Sequence, residues 1–424
     1  MFSQITKFLF GSVTAQGMSS IAGLLFAHWM TVEEYALFTI MMMITGAMNI
    51  LTKGGVHLGF TAIIGRTWPD RTRAKQVTKA AIIERKFISI FVLPPILVTA
   101  GWLLWKNHAD YTVIGSLLTL LIINWQFDMQ TRIIDQILMF ANKAARTQVL
   151  DTILALFRLI GTTSLYYLHC LNALGAVALG VIVAGLRIPF IQRWVRQELV
   201  EEPVDISPDD RKEIKKITRR QLPIEIFYVL QSQIVLVILA WYSATEQTAS
   251  IGALWRIGQL LLPVQAVMHA FAIPHFSRVK SSILRTWFLW SFACSLPGLS
   301  LVLICYFFPD LLLLLIGPNY ANLQYELFIA AIGTAVNSAV SISLQLIAHR
   351  GWNHYAWIQI PVVLVWCATA PFFLNLRDLD QVLWFNTGLT SGTFCAIFFE
   401  IIAAKYRGDL KNKQREKHIS RGSG

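Results

Sequence analysis

Charge is what this chain has least of. Asp, Glu, Lys and Arg make up 14% of its 424 residues, against the roughly 25% of an ordinary soluble domain, while hydrophobic residues reach 55%. No soluble core absorbs such an apolar surplus. The five cysteines, Cys170, Cys294, Cys305, Cys367 and Cys395, include no CxxC pair and have no histidine at metal-ligand spacing. That excludes a zinc-ribbon or thioredoxin-type site and leaves them as small hydrophobes. A P-loop, a GxGxxG turn before a helix, an HExxH helix and a GxSxG elbow are all missing, and the nine histidines are dispersed. With those motifs go direct nucleotide use and the common catalytic frames. No metal and no cofactor is expected, and no enzymatic activity.

What is present is a series of apolar windows of about 20 residues, the length a helix needs to cross roughly 30 Å of hydrocarbon. They fall near 8–29, 36–53, 87–105, 111–127, 148–168, 172–192, 222–242, 251–274, 286–308, 327–348, 353–375 and 382–404. The fold class expected is therefore all-α integral membrane, with about twelve transmembrane helices. Pro94, Pro95, Pro263, Pro297 and Pro361 fall inside these windows, where neighbouring helices re-satisfy the freed carbonyls and a bend is expected. The first window is too long for a signal-peptide apolar region and lacks an A-x-A cleavage site, so it reads as the first span.

The formal net charge of +12 is explained by topology. Arg66, Arg71, Arg73, Lys75, Lys79, Arg85 and Lys86 lie between the second and third spans. Arg196, Arg211, Lys212, Lys215, Lys216, Arg219 and Arg220 lie between the sixth and seventh. The opposite loops are short and acidic, with Glu33, Glu34, Asp110, Glu246, Asp310, Glu326, Asp378 and Asp380. By the positive-inside rule the basic loops and both termini are cytoplasmic, which leaves no reason to invoke nucleic acid. Trp29, Trp102, Trp105, Trp241 and Trp384 mark one interface and Trp194, Trp287, Trp290 and Trp352 the other.

The polar stretch 198–221 divides the spans six and six. This predicts an N-terminal six-helix lobe over 1–197, a cytoplasmic linker over 198–221, a C-terminal six-helix lobe over 222–404 and a basic tail over 405–424. Six is even, so both halves enter from the same side, as in parallel repeats about an axis normal to the membrane. A faint echo between AHWMTVEEYALFTI after the first span and AWYSATEQTASIGALW after the seventh agrees with this.

A charge retained near mid-bilayer costs at least about 2.5–3.5 kcal/mol, so each is a functional candidate by default. Asp151 and Arg158 stand two turns apart on one face of the fifth span. Two readings remain open for them: partners that bridge helices within a bundle, or cavity lining. Seven residues span about 10 Å, too far for them to pair with each other. Glu225 begins the seventh span. Arg256 stands in WRIGQLLLPVQ with no acid within a turn, which makes it the leading candidate for an anion contact. Asp128, Arg132 and Asp135 follow the fourth span. Gln16, Asn49, Gln231 and Gln233 are polar candidates for a cavity wall or for helix-helix hydrogen bonds. Thr45, Asn49 and Lys53 follow at four-residue steps along one face of the second helix.

Three stretches carry a family resemblance. FGSVTAQGMSSIAGLLFAHWMTVEEYALFTI (10–40), IGALWRIGQLLLPVQAVMHAFAIPHFSRVK (251–280) and LLLLLIGPNYANLQYEL (311–327) resemble the opening helices, the eighth helix and the Gly-Pro-x-Tyr element of the Wzx-type polysaccharide flippases. Those belong to the multidrug/oligosaccharidyl-lipid/polysaccharide (MOP) exporter superfamily. The resemblance implies two six-helix lobes in a MATE-like V, with alternating access to a cavity lined by the first, second, seventh and eighth helices. It also implies a cationic site for a polyprenyl diphosphate, with Arg256, Lys53 and Arg158 as the binding residues and Asp151 or Glu225 as ion-coupling groups. The implied substrate is an undecaprenyl-diphosphate-linked oligosaccharide repeat unit for O-antigen, capsule or exopolysaccharide. The implied partners are the lipid bilayer, a polysaccharide polymerase and a chain-length regulator. Unlike the related lipid II flippases, this chain has no cation in its first span, and in the second only Lys53, at its end. The alternatives are a cation-coupled multidrug exporter of the same superfamily and a membrane-embedded polymerase or ligase, which the short outer loops oppose.

Overall fold

A computed structural model describes residues 2–141, 143–200, 204–205, 207–241, 245–262, 272, 276, 279, 282–348 and 354–406. The tail beyond 406, parts of the 198–221 stretch and most of 263–281, including Pro263, lie outside the described residues.

The described chain is helical, with no strand. The order is α1 (Phe2–Trp29), α2 (Val32–Thr67), α3 (Arg71–Lys106), α4 (Tyr111–Thr131), α5 (Asp135–Phe140), α6 (Ala144–Tyr167), α7 (Ala173–Glu198), α8 (Pro208–Trp241) and α9 (Thr245–Gln259). Then follow α10 (Ile283–Phe307), α11 (Pro309–Ile316), α12 (Gln324–Ala348), α13 (Gln359–Thr369), α14 (Leu379–Gly388) and α15 (Ser391–Tyr406). Nine stretches among the described residues are long and apolar enough to cross a membrane, and a shorter apolar one runs over Ala356–Phe372. The expected all-α integral membrane class is what the chain adopts. Outward-facing Ile90, Phe91 and Val98 on α3 are exposed, as side chains solvated by lipid are.

Local chemistry sets the helix ends. Thr31 caps α2 by accepting from the Glu34 amide at 3.4 Å, and Asp70 caps α3 by accepting from the Arg73 amide at 3.0 Å. Glu34, in the acidic turn, reaches across to accept from the first amide of α7, Ala173 N, at 2.6 Å. α2 and α3 run 36 residues each, about 54 Å at 1.5 Å per residue, well beyond the hydrocarbon. The basic residues that read as loop are therefore largely helical extensions. The same holds for 208–221, which forms the opening turns of α8 and not a slack connection.

By packing, the chain divides into two compact units, Met1–Ala253 and Leu254–Gly424. In the first, α8 lies along α2 and α3, and α1 along α6. Close approach of α2 and α8 depends on glycine: a Cβ on Gly55 would sit 2.8 Å from Thr218 Cα, and one on Gly59 3.1 Å from Ile214 Cα. The core beneath is built from Val56, Phe60, Ile64, Val77, Ile137 and Ile191.

In the second unit α10 packs on α12, and α13 on α15. Gly317 closes α11 at φ 111°, a conformation only glycine adopts without strain, and Pro318 opens the following 3-10 turn that buries Tyr320. Gly388 presses on Trp366, whose indole N–H donates to Phe385 O at 3.0 Å; an added Cβ would fall 2.2 Å from the ring. Gly388→Ala is therefore expected to destabilise the protein by about 1–3 kcal/mol through overpacking. An unchanged thermal midpoint in detergent would show that the indole has room to yield.

Candidate functional site

α2 presents Asn49, Lys53 and His57 one turn apart, a column on a single face. All three are half-buried. Asn49 Oδ1 and His57 Nδ1 are buried with no hydrogen-bond partner among the described residues. His57 stands one turn past the apolar span Val32–Lys53. Burial, and after it the charge of Lys53, lowers its pKa to about 4, so the imidazole is neutral at physiological pH.

The charges that act on Lys53 come from α3, α4 and α5: Arg132, Asp135, Asp128 and Arg85. They are held in two ion-pair groups. In one, the fully buried Arg85 guanidinium donates to the Asp128 carboxylate and backbone carbonyl, both at 2.9 Å, and Arg132 donates to the other carboxylate oxygen at 2.6 Å. In the other, Arg187 on α7 bridges Asp151 at 3.0 Å and Asp135 at 3.2 Å. Across this network four cations face three carboxylates, and Lys53 is the cation that forms no ion pair among the described residues. A half-buried ammonium beside an amide and a neutral imidazole is suited to anionic oxygens, to which charged donors bond about twice as strongly as neutral ones.

Other predicted residues fall around this column. Glu225 is buried on α8 beside the Gly55 backbone of α2, and its Oε2 has no partner among the described residues. Gln233 reaches from α8 to the Met43 carbonyl of α2 at 3.4 Å, leaving Oε1 buried with no partner among the described residues. Gln231 is half-buried on α8 and engaged, as is Gln16 on α1. Asp151 is held by Arg187. Arg158, two turns on, lies over the Phe26 ring of α1 at 5.8 Å. Arg256 belongs to the second unit; it is buried on α9 and donates to Gln259 Oε1 at 2.9 Å. Among the described residues there is no group of three or more His, Cys, Asp or Glu placed to hold a metal.

Arg187, Arg85 and His57 are site residues that the sequence reading passed over. Arg187 stands inside the sixth apolar window, so its position in AGLRIPF was the available signal. Its two acids lie on other helices, 36 and 52 residues away.

These helices and their buried charges define an α-helical multi-pass membrane protein with the fold of MOP superfamily transporters. Three solved structures show the likeness. A MOP superfamily transporter from Pyrococcus furiosus, described as having a binding pocket of reverse polarity, aligns with TM-score 0.63 over 95% of each chain at 14% identity. A MATE transporter in the bent conformation aligns at 0.60 over 97% of this chain and 96% of its own at 16% identity. An inward-facing multidrug resistance MATE family transporter aligns at 0.59 over 96% of each at 14% identity. At such identities the likeness is one of fold. No family model matches the sequence, and no curated protein does.

Proposed function

We propose that this protein is a Wzx-type flippase. It carries an undecaprenyl-diphosphate-linked oligosaccharide from the cytoplasmic to the periplasmic leaflet of a bacterial inner membrane by alternating access, for O-antigen, capsule or exopolysaccharide. The supporting observation is the cation at the centre of the α2 column. The polar column of α2 centres on an ammonium with no ion pair among the described residues, and a second buried cation, Arg256, stands on α9. A cationic drug would meet repulsion there, whereas a diphosphate would exchange hydration for charge-assisted hydrogen bonds. A neighbour of the same fold is itself described as having a binding pocket whose reverse polarity suggests a different function.

In this reading Lys53 of the first unit, Arg256 of the second and Arg158 are each candidate diphosphate contacts. Access alternates between the two faces of the membrane, both termini are cytoplasmic, and a polymerase and chain-length regulator use the product. Glu225, buried with an unpartnered carboxylate oxygen, is the coupling group; Asp151, already paired with Arg187, serves the network.

The test is surface glycan made by a deletion strain carrying Lys53→Ala or Arg256→Ala at normal protein level. Losing a hydrogen bond to a charged group costs about 1.5–3 kcal/mol, so each variant should lower glycan export about 10- to 100-fold. Full glycan with both variants would remove the diphosphate site. Dye resistance that tracks expression while glycan stays intact would favour a multidrug exporter instead.

A further inference from the structure

A second feature of the first unit is built from residues of α7 outside the ion-pair network around Lys53. Pro189, Gln192, Arg193, Arg196 and Gln197 recur at steps of three and four residues on α7, one face of the helix, and line a groove of about 510 Å³. Arg193 and Arg196 are exposed, and neither forms an ion pair among the described residues. The acid nearest in the chain, Glu198, is buried and taken by Lys143. Gln192 donates to Gln130 of α4 at 3.1 Å, which fixes one wall.

Toward the middle of α7 the same face continues as Ile182, Leu186 and Phe190, which are 53%, 40% and 48% exposed. Their spacing of four residues makes a continuous apolar stripe. Phe190 packs against Trp194 at 6.2 Å between ring centroids, and tryptophan is enriched at the headgroup level. An isolated arginine at such a depth simply snorkels. Two guanidiniums three residues apart, over one groove and flanked by amides, offer one phosphate group several converging donors.

The geometry points to a binding site for the phosphate headgroup of an anionic phospholipid at this end of α7, with its acyl chains along Ile182, Leu186 and Phe190. The inference does not rest on the transport reading. Charge complementarity selects the occupant: among the described residues the groove is lined by two cations and no acid, so an anionic headgroup gains where a zwitterionic one brings its own ammonium.

The experiment is native mass spectrometry of the delipidated full-length protein titrated with phosphatidylglycerol or with phosphatidylcholine. Each interfacial cation contributes about fivefold, so Arg193→Gln with Arg196→Gln should weaken phosphatidylglycerol binding on the order of 25-fold and leave phosphatidylcholine unchanged. Arg193→Lys with Arg196→Lys keeps the charge but loses the planar fork and should fall between. Unchanged phosphatidylglycerol binding in the glutamine variant overturns the site, and so does an equal loss of both lipids. Competition by glycerol 3-phosphate as effective as by the lipid would assign the groove to a soluble phosphate ester and overturn the lipid.

Discussion

Asp128→Asn should destabilise the first packing unit by about 3–5 kcal/mol, the cost of leaving a buried charge without its partner. The Arg85 guanidinium is 0% exposed, and its only carboxylate among the described residues is that of Asp128. Arginine has no neutral form within reach, so it cannot escape by losing a proton. Arg85→Met should cost distinctly less, because Asp128 then keeps Arg132 at 2.6 Å, itself half exposed to solvent. The double variant should recover most of the loss, since a buried pair replaced together is often close to neutral. Thermal unfolding in detergent, followed by the fluorescence of the 14 tryptophans, reads all three. If Arg85→Met were as damaging as Asp128→Asn, the asymmetry argued from burial would be wrong.

Arg187→Met comes next in size. It strands two carboxylates on different helices, Asp135 at 13% and Asp151 at 35% exposure, and should cost about 3 kcal/mol, most of it at the more buried Asp135. Asp151→Asn alone should stay within about 1 kcal/mol, because that carboxylate is a third exposed and screened. A consequence for transport follows if Lys53 binds phosphate. An Asp135 released by Arg187 is free to take the Lys53 ammonium, already within its electrostatic reach. Arg187→Met should then lose glycan export even where the protein accumulates normally, and adding Asp135→Asn should restore it. Continued loss in the double variant would separate Arg187 from the phosphate site.

The helices were legible because hydrocarbon imposes one rule on every span: about 20 apolar residues with their backbone bonds satisfied internally. The reading faltered at span ends. α2, α3 and α8 continue well past their apolar windows, since a helix leaving the bilayer can go on as long as another helix covers it. Gly55 and Gly59 let α8 do so against α2. Nothing in the polar composition of 208–221 distinguishes such a buttress from a linker.

The charges divide in the same way. That Lys53, Arg158, Asp151, Glu225 and Arg256 needed an explanation followed from position alone, because an ionisable group inside an apolar window is costly wherever its partner lies. Which were engaged, and by what, was decided by tertiary structure. Asp151 found Arg187 on α7, Arg158 found the Phe26 ring, and Lys53 was left over because Asp128 and Asp135 were already engaged by arginines from α3, α4 and α7. Ion pairing acts over a few ångströms in space and is indifferent to separation along the chain. The amino-acid order therefore determined the bilayer as solvent, the helical class and the cost of each buried charge, while only the packing of helices from distant parts of the chain decided which of those charges found a partner.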